Sequence, residues 1–354
     1  MEPGHSPLAR YLLGAYWLLV VYGSLYPFSG WRDQGVSPLE FLVAPVPKYV
    51  TGFDLVANLA AYFPLGFLAV LAVVPRLRGA RSLATAVALG AATSVILEAL
   101  QTYLPDRIPS NLDLAANVAG AFAGALAGVA AADRLVGHGR LRALRGRVFL
   151  RGPGVDLGLV LVAMWLFTQL NPGTLLFGNG DLRAFFEPPL AELYAAETFA
   201  RIELGVAGAN AVAAALFAAL LVNPGHQVRP VILALIGAAV AARTLAFAIL
   251  FEPHGALAWL TPGAAVGLAI GLAIALALAG LPRAWAVAVC GLALMAATAL
   301  VNLAPENPYL AQSLASWPQG HFLNFNGLTR LVSALWPFAA LAYLLGGPAR
   351  GATG

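Results

Sequence analysis

Three short polar pairs stand out in a chain that is otherwise mostly apolar: Asp54 with Asn58, Glu98 with Gln101, and Asp113 with Asn117. Residues four apart on a helix lie about 40° from one another around the axis, and residues three apart also share a side, so each pair forms one polar face. Carboxylates accept hydrogen bonds, and primary amides both donate and accept. Together they suit a pocket for a headgroup bearing hydroxyls, amides or phosphate. Arg107, between Gln101 and Asp113, is the candidate counter-ion. The alternative is a structural network in which Asp54 and Asp113 cap helix N-termini, where acidic groups also suit the dipole. Three carboxylates with amide oxygens have the chemistry of a hard divalent-cation site. No histidine lies among them and their spacing matches no metal-binding loop, so no metal is assigned.

The bilayer dictates the elements that carry these groups. Of 354 residues, 60% are hydrophobic and 10% charged, with a mean hydropathy of +0.80, whereas a soluble domain has roughly 25% charged residues. This composition excludes a soluble enzyme, a disordered protein and a nucleic-acid binder. The expected fold class is all-α, a polytopic helical membrane bundle of about ten transmembrane helices. The spans fall near residues 10–28, 53–74, 82–104, 113–132, 156–171, 198–222, 231–251, 257–280, 284–303 and 328–346. The count becomes nine if the eighth and ninth join across Pro282 and Arg283.

With the amino terminus inside, the inner segments hold Arg10, Arg76, Arg78, Arg81, the arginines from Arg134 to Arg151, Arg229, Arg283 and Arg350. Only Arg32, Lys48, Arg107 and Arg183 fall in outer loops. The positive-inside bias therefore puts both termini in the cytoplasm. The first span is read as retained, since it is long for a signal peptide and no A-x-A site closes it. In this orientation all three polar pairs sit toward the outer leaflet. The one cysteine, Cys290, lies in an apolar run and forms no intrachain disulfide.

Gly120, Gly124 and Gly128 continue the stripe of Asn117, and small residues let a neighbouring helix approach closely. That stripe turns Asp113 and Asn117 into the bundle. Gly90, Ser94, Glu98 and Gln101 form a similar one. The strings DLVANLAAYF from Asp54 and DLAANVAGAF from Asp113 agree at six of ten positions. Two parallel helices flanking an antiparallel third would then set two Asp-Asn pairs around Glu98. The expected domains are a four-helix module over 1–132, an arginine-rich cytoplasmic linker over 133–155 and a six-helix region over 156–354. The linker is read as a loop that fixes topology.

In the carboxyl half, the acidic segment 172–197 reads as a solvated outer loop. The loop over 303–327 is rich in amides and aromatics, and Trp317 and His321 are its candidate ligand-binding residues in a lid over the outer face. Trp and Tyr there also fit an interfacial aromatic belt. Arg243 interrupts the seventh span and must face protein or water; Glu203 in the sixth is its expected structural ion-pair partner.

The strings YGSLYP (Tyr22 to Pro27), Asp54-Asn58 with Phe63-Pro64-Leu65-Gly66, Glu98-Ala99-Leu100-Gln101 with Pro105 and Arg107, and Asp113-Asn117 with Gly120 and Gly124 together resemble the VanZ-like family over about residues 10–132. The resemblance implies a helical membrane module with a role at the cell envelope, in a multi-pass protein of the bacterial cytoplasmic (inner) membrane, and a link to glycopeptide (teicoplanin) resistance. The expected partners are the membrane and a lipid or lipid-linked envelope precursor, with no nucleic acid. No phosphate loop, zinc motif or nucleophile elbow is present in a confirming context, so neither a catalytic residue nor a cofactor is assigned. A proton-coupled transporter and a structural or assembly protein are the alternatives.

Overall fold

The computed structural model describes residues 7–46, 51–74, 76–136, 140–183, 196–250, 255–303 and 323–347. In hydrocarbon every backbone polar group must be bonded within the protein, and a helix achieves this locally. The apolar runs accordingly fold as helices: α1 (Leu8–Leu25), α2 (Gly52–Val73), α3 (Ala80–Gln101), α4 (Asn111–Leu135), α5 (Arg140–Val148), α6 (Pro153–Thr168), α7 (Ala196–Ala219), α8 (Val228–Leu250), α9 (Pro262–Leu278), α10 (Arg283–Leu303) and α11 (Leu323–Gly346). Eight are long and apolar enough to cross a membrane, while α6 and α9 are shorter apolar helices of 16 and 17 residues. The described residues contain no strand, only an isolated bridge between Phe149 and Val222. This is a multi-pass, all-helical membrane protein.

The chain divides into two compact units between Arg147 and Val148. The linker expected as a loop contains α5 instead. Arg, Leu and Ala, which favour helix, make up most of this segment.

In the amino-terminal unit α2 and α4 run parallel, backbone against backbone. Gly120 faces the Leu59 carbonyl, Gly124 the Phe63 carbonyl and Gly128 that of Phe67, while Gly66 of α2 faces the Ala121 carbonyl. A Cβ at Gly66, Gly120 or Gly124 would overlap the opposing oxygen. Lipid tails are as apolar as leucine, so close packing rather than water exclusion holds such helices together. The antiparallel α3 packs on both partners, and bonds tie α1 to the group along its length: the Tyr16 hydroxyl donates to Ala61 O (2.8 Å) and Trp17 Nε1 to Thr93 Oγ1 (3.2 Å).

The carboxyl-terminal unit repeats the device. Its parallel helices α7 and α9 meet with Gly263 against the Ala200 carbonyl, Gly267 against Leu204 and Gly271 against Gly208. An aromatic core fills the space beside them: Trp165, Phe177, Phe217, Trp336 and Tyr343 make ring contacts at 5.1 to 6.4 Å. Trp336 Nε1 donates to Leu161 O (2.7 Å) and the Tyr343 hydroxyl to Gly154 O (2.9 Å), joining α11 to α6. Arg283 and Arg229 donate to Leu220 O and Leu276 O near the carboxyl ends of α7 and α9, where cations suit the dipole.

Candidate functional site

Local sequence sets the two helix starts that open the amino-terminal cluster. Thr51 caps α2 and forms a capping box with Asp54, whose Oδ2 accepts from Thr51 N (3.2 Å) and Thr51 Oγ1 (2.6 Å). Ser110 caps α4, its Oγ accepting from Leu112 N and Asp113 N. The Ser110 N–H itself donates to Glu98 Oε2 of α3 (2.9 Å), so a buried carboxylate from another helix completes this cap. Capping satisfies backbone donors that a helix start leaves open.

From there a graded series of polar groups descends among α2, α3 and α4. Asp54 is exposed, Asn58 and Asp113 are half-buried, and Glu98 and Asn117 are each 4% exposed. Asn58 Nδ2 donates to Asp113 Oδ1 at 2.7 Å, joining the parallel helices above their glycine contact. Asn117 Nδ2 donates to Ser94 Oγ at 3.0 Å, and Ser94 also hydrogen-bonds with the Tyr62 hydroxyl. Asn117 Oδ1 is buried with no hydrogen-bond partner. The three carboxylates act on one another in sequence, Asp54 on Asp113 and Asp113 on Glu98.

Two of the expected site residues face elsewhere. Gln101 Nε2 donates to Ser24 O (2.9 Å), and the Arg107 guanidinium donates to Tyr26 O (2.8 Å) and Gly23 O (3.3 Å). Arg107 therefore clamps the carboxyl end of α1 instead of sitting on a carboxylate. Free carbonyls at a helix end attract a cation. Burial lowers the Arg107 pKa, and the charges of Asp106 and Glu98 offset part of that effect. The segment after α1 covers this clamp, with Arg32 N donating to Tyr103 O and Gln34 Nε2 to Thr102 O.

The segments that carried the resemblance are thus one physical assembly: YGSLYP supplies the carbonyls, Gln101 and Arg107 the donors, and the two Asp-Asn pairs the polar series beside them. Residues 11–131 match the family model VanZ/LLP1. The amino-terminal segment is VanZ-like. No curated protein and no solved structure gives a match. The VanZ-like segment holds seven of the residues singled out from the sequence: Asp54, Asn58, Glu98, Gln101, Arg107, Asp113 and Asn117. Tyr62, Ser94 and Ser110 join them; the Ser-x-x-Asp pattern at Ser110 and the Ser94 stripe were the available signals.

In the carboxyl-terminal unit Arg243 is 2% exposed. Its guanidinium donates to the carbonyls of Asn171 and Thr174 and to Thr174 Oγ1, lies 5.1 Å over the Phe247 ring, and leaves Nε without a partner. Glu203 Oε2 accepts from Thr261 Oγ1 at 2.5 Å, at the start of α9. Glu203 and Arg243 act on one another electrostatically, yet each bonds other groups, so the expected contact pair is a longer-range attraction. The beginning of the expected solvated loop is also different. Residues 176–180 are buried, with Gly180 N donating to Ser333 O, Ser333 Oγ to Gly178 O and Asn302 Nδ2 to Gly180 O. Non-helical backbone is tolerated there because remote side chains satisfy it. Trp317 and His321 lie outside the described residues. No cluster of metal-ligating side chains occurs among the described residues.

Proposed function

We propose that the VanZ-like unit is a cell-envelope module whose polar series takes the headgroup of an amphipathic or lipid-linked envelope precursor from the outer leaflet of a bacterial inner membrane. The observation that carries this reading is the buried, unpartnered Asn117 Oδ1. An unmade hydrogen bond at a buried polar group costs about 1–3 kcal/mol, and a ligand donor removes that penalty. Asp113 uses only Oδ1 among the described residues, although a carboxylate accepts up to about four bonds. The exposed Phe53, Val56, Leu59 and Phe63 of α2 supply an adjacent apolar surface for an acyl chain. A contribution to teicoplanin resistance belongs to this proposal as the phenotype that altered handling of such a precursor produces.

The test is lipid extraction from the full chain purified in a maltoside detergent, followed by mass spectrometry. An amphiphile enriched with the wild-type protein and lost from Asn117→Leu supports the reading. Absence of any enriched amphiphile, or one retained equally by the folded variant, sinks it.

A further inference from the structure

We infer that the headgroup taken at this site carries a protonated amine, an inference that rests on the reading just given and names the chemistry of its ligand. Asp54, Asp113 and Glu98 form a series of carboxylates, Asp54 interacting with Asp113 and Asp113 with Glu98. Arg107 is the cation closest in sequence; it donates to Gly23 O and Tyr26 O, and its single charge is shared between Asp106 and Glu98, so it cannot balance all three carboxylates. The cluster therefore keeps a formal excess of negative charge that a cationic ligand neutralises.

Hydrogen-bonding capacity points the same way. The amide nitrogens of Asn58 and Asn117 are turned to Asp113 and Ser94, and that of Gln101 to Ser24. The buried group left over is an oxygen, Asn117 Oδ1, which needs a donor. Asp113 Oδ2 and Glu98 Oε1 are further acceptors, because the bonds to Asn58 and Ser110 use the other oxygen of each carboxylate. An ammonium group has three donors and no acceptor. A phosphate would instead set its charge against three carboxylates, and like charges so placed oppose binding. No group of three or more His, Cys, Asp or Glu side chains among the described residues is placed to hold a metal ion.

The amine comes either on an amphiphile or free in water, and calorimetric titration of the purified full chain separates the two. The probes are octylammonium, N-octylacetamide, octyl phosphate, ethanolamine and magnesium chloride. Saturable octylammonium binding, with N-octylacetamide and octyl phosphate at least tenfold weaker, supports the inference. Asp113→Asn should weaken octylammonium at least tenfold; should that variant fail to fold, the acetamide comparison on the unaltered protein still decides. Equal or tighter binding of the acetamide or the phosphate overturns the amine while leaving an amphiphile site, as does displacement of octylammonium by millimolar magnesium. Ethanolamine binding as tightly as octylammonium supports the amine and overturns the amphiphile. No saturable binding by any probe overturns both.

Discussion

Single side chains in this protein are spent mainly on backbone groups. Arg107 holds two carbonyls of α1, Arg243 holds two of the 171–174 segment, and Ser333 and Asn302 hold the 178–182 backbone. Asp181 belongs to the same pattern, since its carboxylate accepts from Arg183 Nε (2.9 Å), NH2 (2.7 Å) and the backbone N–H (3.0 Å). Burial raises the Asp181 pKa, but the bonds and charge of Arg183, with the charge of Arg330, outweigh it and leave the pKa below its usual value. A carboxyl group with a depressed folded pKa contributes stability that is present above its unfolded value, about 3.9, and disappears as pH falls through the folded value. Thermal unfolding should therefore become easier below about pH 4. Asp181→Asn should flatten that acid limb and cost about 1 kcal/mol at neutral pH, the pair being a quarter exposed and partly screened. An unchanged acid limb in a melting series would contradict the assignment. At this scale the sequence showed which residues are out of place in lipid, because a charge in an apolar run is conspicuous. It did not show that Arg107 and Arg243 choose carbonyls over carboxylates, because those carbonyls belong to remote segments whose approach depends on the whole packing.

Helix pairing is the level at which the two units resemble one another. In each, a parallel pair meets through glycines four residues apart, and the intervening helix runs the other way: α2 and α4 around α3, α7 and α9 around α8. The Gly120-Gly124-Gly128 stripe was legible because Asn117 stands on it. Gly263, Gly267 and Gly271 carry the same spacing, but no polar pair draws attention to them. The short string shared by α2 and α4 also has a physical basis, since both start at a side-chain-capped turn and then narrow for close contact. Gly124→Val tests this contact, because its side chain would enter the space of the Phe63 carbonyl. Overpacking a tight contact costs about 1–3 kcal/mol, and separating α2 from α4 would also stretch the 2.7 Å Asn58–Asp113 bond. The variant should melt lower than wild type in detergent, whereas the same substitution at Gly23, whose Cβ would meet nothing within 4 Å, should cost much less. Equal melting of the two variants would show that the helix contact carries little stability.

Across the whole molecule, hydropathy made the eight helices of spanning length legible, and also the shorter apolar helices α6 and α9, because a helix is the local solution to burying backbone in lipid. Burial of residues 176–180 was not legible, since Asn171, Pro172 and Gly173 read locally as a surface turn and the burying groups come from α10 and α11. Orientation follows from the arginine distribution, and access of an outer-leaflet ligand to the polar series requires that orientation. Single-cysteine labelling tests it directly. Cys290 is fully buried, with its thiol donating to Ala213 O (3.3 Å), so it provides an unreactive background. Ile108 is 84% exposed in the connection between α3 and α4, and Leu144 is 55% exposed on α5. Treatment of intact bacterial cells with a membrane-impermeant maleimide should label Ile108→Cys, while Leu144→Cys should react only after permeabilisation. The opposite pattern would turn the bundle over and put Asp113 and Asn117 at the cytoplasmic side, where an outer-leaflet precursor does not reach them.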